Sequence, residues 1–255
     1  MRIAVLSDIH ANVWALEAVL ADARARGADA FLNLGDVLYG PLAPRATFDL
    51  LRQVPFVTIQ GNQDREVYDA TPAGLAANPT LSFVTEDLGP APIAWLRALP
   101  RSQEYEGILL CHGTPDSDVV YLLEDVSTGV PRVKDPEEIA HRLRARPQRL
   151  VLCGHSHIPR VVTLPTGQTV VNPGSVGLPA YDDDLPAYHR METHSPLASY
   201  AILETGPSGF VVEHRRVDYP YSDAEKRARS LGREDWALWL RTGFAAAPQG
   251  RTTSG

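Results

Sequence analysis

The first 60 residues alternate between two hydrophobic periods, and this alternation leaves the chain few folds to adopt. Residues 2–7, "RIAVLS", form a short apolar run that ends at Ser7-Asp8. Residues 14–26, "WALEAVLADARAR", place Leu16, Val19, Leu20 and Ala23 at helical spacing. Asn12 stands before that helix as an N-cap and Gly27 after it as a stop. A strand, "AFLNLGD", a helix near residues 44–53 and the strand "FVTIQ" follow. A β-α-β-α-β run implies parallel strands joined by right-handed crossovers. In such sheets ligands gather at the carboxyl ends of the strands.

The remainder adds a second set of strands. Residues 69–100 read as helical, broken by Pro72, Pro79, Pro90 and Pro92. "GILLC" (107–111) is a strand ending at His112, and "RLVLC" (149–153) one ending in "GHSH". Between them, residues 135–145 form a helix capped by Asp135 with Pro136 at its first position. "RVVTLPTGQTVVN" is a hairpin around Thr166-Gly167, and "SYAILE" with "GFVVEHRRV" a further antiparallel pair. The expected fold is α/β: a two-sheet sandwich with helices outside. We expect one domain over residues 1–243, with a core at 1–217, a helical segment at 222–243 and a disordered tail at 244–255.

Five strand ends carry polar clusters, and every cluster holds residues that bind metals. They are "DIH" (Asp8, His10), "GD" (Asp36), "GNQD" (Asn62), "CHG" (His112) and "GHSH" (His155, His157). Any one alone is a weak signal, since Asn-x-Asp after a strand is commonly a turn. Five in order are not explained that way. Seven carboxylate, imidazole and amide side chains suffice for two ions if one carboxylate bridges. Mixed N and O donors without thiolate suit Mn, Fe, Zn, Co or Ni better than Ca or Mg. Two ions clamp a phosphate, lower the pKa of a bridging water and yield a hydroxide that attacks phosphorus in line.

The pattern DIH…GD…GNQD…H…GHSH, spanning residues 3 to about 217, resembles the signature of the calcineurin-like metallophosphoesterases, more closely their small bacterial and archaeal phosphodiesterase branch. The resemblance implies a four-layer sandwich, two mixed β-sheets packed face to face and flanked by helices. It implies one metal on Asp8, His10, Asp36 and His157, and a second on Asp36, Asn62, His112 and His155, with Asp36 bridging. Asp36, Asn62 and His112 are the residues it implies for catalysis. Manganese is the expected ion, with Fe, Zn, Ni or Co as alternatives. One position departs: many members carry His after the ligand Asn, where this chain has Gln63. An amide hydrogen-bonds but cannot donate a proton as a general acid.

Other residues are weighed beside this set. Asn12 is a helix cap and a candidate phosphate contact, and Tyr39 a candidate pocket residue. Asp64 is expected to support a ligand histidine from behind, and Arg65 to be solvated. The polar segment 180–198 is either a loose surface insertion or a lid placing His189 or His194 over the site as the missing acid. Cys111 and Cys153 read as small core fillers. A net charge of −7 disfavours long nucleic acid as a partner. The expected substrate is a small phosphoester, nucleotide-like in one version. No apolar run reaches the ~18 residues of a membrane span, and a reducing cytoplasm is the expected location. Two rivals stand beside a phosphodiesterase: a non-catalytic scaffold, whose ligands would be eroded, and a phosphomonoesterase or protein phosphatase, which would carry His at position 63 and arginines for the phosphate.

Overall fold

The computed structural model describes residues 1–207 and 209–245. In chain order the elements are β1 (Arg2–Leu6), α1 (Val13–Ala25), β2 (Ala30–Asn33), α2 (Pro44–Leu51), β3 (Phe56–Thr58), α3 (Asn62–Tyr68), α4 (Pro72–Ala77), α5 (Pro79–Leu88) and α6 (Pro90–Ala98). Next come β4 (Ser102–Tyr105), β5 (Ile108–Cys111), β6 (Glu124–Asp125), β7 (Arg132–Val133), α7 (Pro136–Leu143), β8 (Leu150–Leu152), β9 (Arg160–Thr163) and β10 (Thr169–Asn172). The last are β11 (Ala180–Asp183), β12 (His189–Glu192), β13 (Ala198–Gly206), β14 (Gly209–Val217), α8 (Tyr221–Ser230) and α9 (Glu234–Thr242).

Two five-stranded mixed sheets result, ordered β14-β13-β1-β2-β3 and β4-β5-β8-β10-β9. In the first, β1, β2 and β3 are parallel and β13 and β14 are antiparallel additions. In the second, β5, β8 and β10 are parallel, edged by antiparallel β4 and β9. Strand alternation assigns the faces. Ile3, Val5, Leu32, Leu110, Leu152 and Val171 pack between the sheets. Ala4 and Leu6 point the other way, onto α1. Leu109, Cys111, Val151 and Cys153 point outward beneath Ile139 and Leu143 of α7. The layers run helix, sheet, sheet, helix, as expected. The cysteines fill that outer core, and burial pushes the Cys111 thiol up to about 12 and Cys153 well above its usual value.

Several local readings are refined. The helical stretch 69–100 is broken at Pro72, Pro79 and Pro90 as expected, each standing in the first turn of α4, α5 or α6, where no amide proton is required, whereas Pro92 lies inside α6 and does not break it. A helix starts at once at Asn62, in a stretch that reads as a turn. The helical segment expected at 222–243 is two helices, separated at Gly232, whose φ is +73°. The polar segment 180–198 is not a loose insertion, since β11 and β12 pair antiparallel within it. Of the expected tail 244–255, Phe244 stacks on His194 and Ala245 is buried; the rest lies outside the described residues.

Candidate metal centre

All seven side chains named from the strand ends converge at one edge of the sandwich. Asp8 and His10 follow β1, Asp36 follows β2, and Asn62 follows β3 in the first sheet. His112 follows β5, and His155 and His157 follow β8, in the second. Backbone pairing continues past the strands to lock these loops together. The Asp8 N–H donates to Gly35 O, and the His10 N–H to Asp36 O, each at 3.0 Å. Five of the seven residues hold left-handed backbone: φ is +54° at Asp8, +48° at His10, +53° at Asp36, +68° at His155 and +60° at His157. Such conformations are costly for residues with a Cβ and persist where surrounding structure over-determines them. Sharp reversals of this kind turn each side chain back over the strand ends. The loops after β2 and β3 touch so closely that a Cβ on Gly61 would lie 2.1 Å from Asp36 Oδ1.

The side chains form two triads able to hold a cation: Asp8, His10 and His157, and Asp36, His112 and His155, all buried. His157 Nε2 lies 3.4 Å from Asp8 Oδ1 and 3.1 Å from His10 Nε2. His112 Nε2 lies 3.1 Å from Asn62 Oδ1, 3.4 Å from Asp36 Oδ2 and 4.0 Å from Asp8 Oδ1, which ties the triads together.

Backbone carbonyls orient the imidazoles. Nδ1 of His10 faces Tyr39 O at 3.2 Å, Nδ1 of His112 faces Leu34 O at 2.8 Å, and Nδ1 of His157 faces Leu178 O at 2.7 Å. In neutral rings these contacts place the proton on Nδ1 and aim the Nε2 lone pair inward. Burial and His157 push the His10 ring down to about 4, and burial and His112 push His155 down to about 4, so both stay uncharged at neutral pH. His112 differs. Burial lowers it, but Asp36 and Asp8 outweigh burial and push it up to about 10. A cation, whether proton or metal, is therefore wanted between His112 and the carboxylates.

The donor set fits a divalent ion. Neutral His10 and His157 would face each other lone pair to lone pair across 3.1 Å, which only a cation between them relieves. Asp8 Oδ1 is buried with no hydrogen-bond partner among the described residues. Buried polar atoms are rarely left so unless an ion or ligand completes them.

Residues 1–205 match the family described as the calcineurin-like phosphoesterase superfamily domain. The chain belongs to that superfamily. It is similar to a metallophosphoesterase of Sphaerobacter thermophilus, at 26% identity and TM-score 0.74 over 96% of this chain and 99% of that one. A hypothetical protein of Pyrococcus horikoshii shares the fold at TM-score 0.75 and 21% identity, over 96% of this chain and 99% of that one. An uncharacterized protein of Methanocaldococcus jannaschii is 25% identical, over 93% of this chain and 95% of its own length.

Around this calcineurin-like centre lies a cleft of ≈ 260 Å³. Tyr39 and Gln63 line it, and Gln63 Oε1 is buried without a hydrogen-bond partner among the described residues. The Gln63 N–H donates to Asp36 Oδ1 at 2.9 Å. Asn12 does not line it. Its Oδ1 accepts from the Ala15 N–H, and its Nδ2 donates to Gly177 O and Tyr219 Oη, so the side chain is a buried cap and clamp.

Neither histidine of the 180–198 segment reaches the cleft. His189 is fully buried in β12; its Nε2 meets the Tyr121 hydroxyl at 2.9 Å, that hydroxyl meets the Tyr181 hydroxyl at 2.9 Å, and Tyr181 donates to the backbone carbonyl of His155 at 2.9 Å. His194 is exposed, stacked on Phe244 and 3.5 Å from Glu192. The segment does border the cleft, with Tyr181, Asp182 and Asp183. Asp64 supports no histidine: its carboxylate accepts from the backbone N–H groups of Val37, Leu38 and Gly61. Arg65 is not simply solvated but grips Asp118 through two bonds of 2.8 and 3.1 Å.

Arg233, Trp236 and Trp239 complete the wall, all from the start and body of α9. Trp236 meets His10 edge-on at 5.9 Å. Sequence reasoning treated this stretch only as a helix. Its two tryptophans three residues apart were the signal available, and a core-facing stripe gives the same pattern. Tyr121, stacked on His155 at 4.5 Å, lies in a stretch that carries no periodicity to flag it.

Proposed function

We propose that this chain is a divalent-metal-dependent hydrolase of phosphodiesters. The observation that carries the reading is the pair of buried triads, joined through Asp8, Asp36 and His112, with imidazole lone pairs aimed at one another and an orphaned carboxylate oxygen. One ion would be held by Asp8, His10, Asp36 and His157 and the other by Asp36, Asn62, His112 and His155, with Asp36 common to both. Manganese is the ion we favour, with Fe, Zn, Ni and Co as alternatives. Two such ions supply Lewis acidity at a phosphoryl oxygen and a lowered pKa for water.

The chain's own groups do the rest. The carbonyls of Tyr39, Leu34 and Leu178 hold three imidazoles in the tautomer that coordinates. Gln63, at the cleft, offers an amide to a phosphoryl oxygen and no acid proton. Substrates whose leaving group needs little protonation suit such a site. A monoester dianion calls for more positive charge than the cleft has. Arg233 is the one Arg or Lys lining it among the described residues, and it is ion-paired with Asp235. The nearby Arg65 is held by Asp118. A scaffold role is disfavoured because every ligand type is intact.

The same reading takes residues 1–243 as one working unit, since α9 walls the cleft, and places the chain with the small phosphodiesterases. With a net charge of −7, small phosphoesters rather than long nucleic acid are the proposed substrates, in the cytoplasm. No helix among the described residues is long and apolar enough to cross a membrane. The test is turnover of purified protein loaded with Mn2+, on matched p-nitrophenyl phosphodiesters and phosphomonoesters. We expect diester hydrolysis to exceed monoester hydrolysis. Metal bound without turnover of either substrate would point to the scaffold instead.

A further inference from the structure

A second, larger cavity opens on the same centre. Its volume is ≈ 850 Å³, within the range of small-molecule sites. Asn62, His155 and Asp183 line both this groove and the smaller cleft, so the two meet at the candidate metal site. Their chemistry differs. The groove is built from Val119, Val120, Val126, Leu185 and Pro186. Val119 is 54% exposed and Leu185 74%, apolar side chains left in water on facing parts of the chain.

Among the described residues, the two cations of the groove are both answered by Glu138, and Glu66, Glu124, Asp125 and Asp183 leave its lining with an acidic excess. Lys134 lies 3.5 Å and Arg142 3.9 Å from Glu138, and Glu124 is paired with Arg160 at 2.9 Å. Asp125 accepts from the Ser127 N–H. No strong unbalanced cation remains there to seat a second phosphate or a carboxylate. Burying apolar surface is what the groove offers a ligand.

We propose that this groove is a substrate subsite for an uncharged, apolar alcohol esterified to the phosphate. The inference rests on the phosphodiesterase reading and extends it to substrate class: one substituent, of apolar character, lies along Val119, Val126 and Leu185, while the smaller cleft takes the other side of the phosphate.

The test is a series of p-nitrophenyl alkyl phosphodiesters with methyl, butyl and octyl chains, assayed on the Mn2+-loaded protein. We expect kcat/KM to rise at least tenfold from methyl to octyl. Replacing both exposed residues, Val119→Asp with Leu185→Asp, should bring the octyl-to-methyl ratio to within about threefold of one. Val211→Asp, on the exposed face of β14, should keep the wild-type ratio. A flat series in the wild type overturns the subsite, as does a slope that the double variant retains. Calorimetry with methyl and octyl monoesters of methylphosphonic acid, whose single ester bond would have to expel an unactivated alkoxide, separates the two readings. Tighter octyl binding without any hydrolysis of the diesters would leave the groove standing and remove the enzyme. Equal binding of both esters, beside normal hydrolysis, would do the reverse.

Discussion

Gly61 contributes to the site by lacking a side chain. Its φ of −102° is open to any residue, yet a Cβ there would lie 2.1 Å from Asp36 Oδ1 and 2.5 Å from the Asp36 amide nitrogen. We expect Gly61→Ala to fold, at a cost of about 1–3 kcal/mol from overpacking, and to displace the Asp36 carboxylate, which on our proposal both ions share. Atomic emission should find fewer than two ions per chain after Mn2+ loading and desalting. Two ions held as tightly as in the wild type would show that Asp36 is not critical. At this scale the residues of the two triads were legible, because a ligand-type residue directly after an apolar strand is a pattern of composition and order. Asp64 was not, because its partners are three backbone amides, which leave no trace in residue identity.

Helix α9 shows what an element adds beyond its own sequence. Trp236 is 3% exposed, packs in the same core as α1 and meets His10 edge-on. Truncation to Ala should therefore cost about 3–5 kcal/mol, read as a shift in equilibrium urea unfolding. Trp236→Phe should cost clearly less. A loss below about 1 kcal/mol for the Ala variant would mean the helix does not buttress the site. The sequence predicted a helix here but not its partner. An amphipathic stripe says that one face is buried; it does not say against which residue 226 positions earlier. The same holds for the prolines at 72, 79 and 90, which signal a boundary without saying whether it is a start or a stop.

Across the whole molecule, the two sheets are held together by apolar packing and by polar contacts that bridge them. His214 on β14 faces the carbonyl of Asn172, at the end of β10 in the other sheet, at 2.7 Å. Burial holds this imidazole below its ordinary value of 6.5, as it holds His10 and His155, near 4. Such groups bind more protons unfolded than folded, so stability is full above 6.5 and is lost as pH falls toward the folded values. His112, raised to about 10, and Asp64 and Glu66, each raised to about 7, bind more protons folded than unfolded and act in the opposite sense over parts of the same range. The His214 contribution is therefore read by difference: between pH 7.5 and 4.5 we expect the urea midpoint of the metal-free wild type to fall relative to that of His214→Gln. A difference between the two midpoints that does not change with pH across this window would contradict the assignment.

What the sequence determined by itself was the α/β alternation, the parallel strand ends and the residue types gathered there. These follow from period-2 and period-3.6 patterning and from short-range order along the chain. Tertiary structure decided where those ends meet, and what surrounds them. It set Asn12 to clamping a loop, moved His189 behind His155 and His194 out to Phe244, and brought α9 from the far end of the chain to wall the cleft. Each of these outcomes depends on contacts between residues distant in sequence. Residue identity limits what a side chain can do; its neighbours in space select which of those things it does.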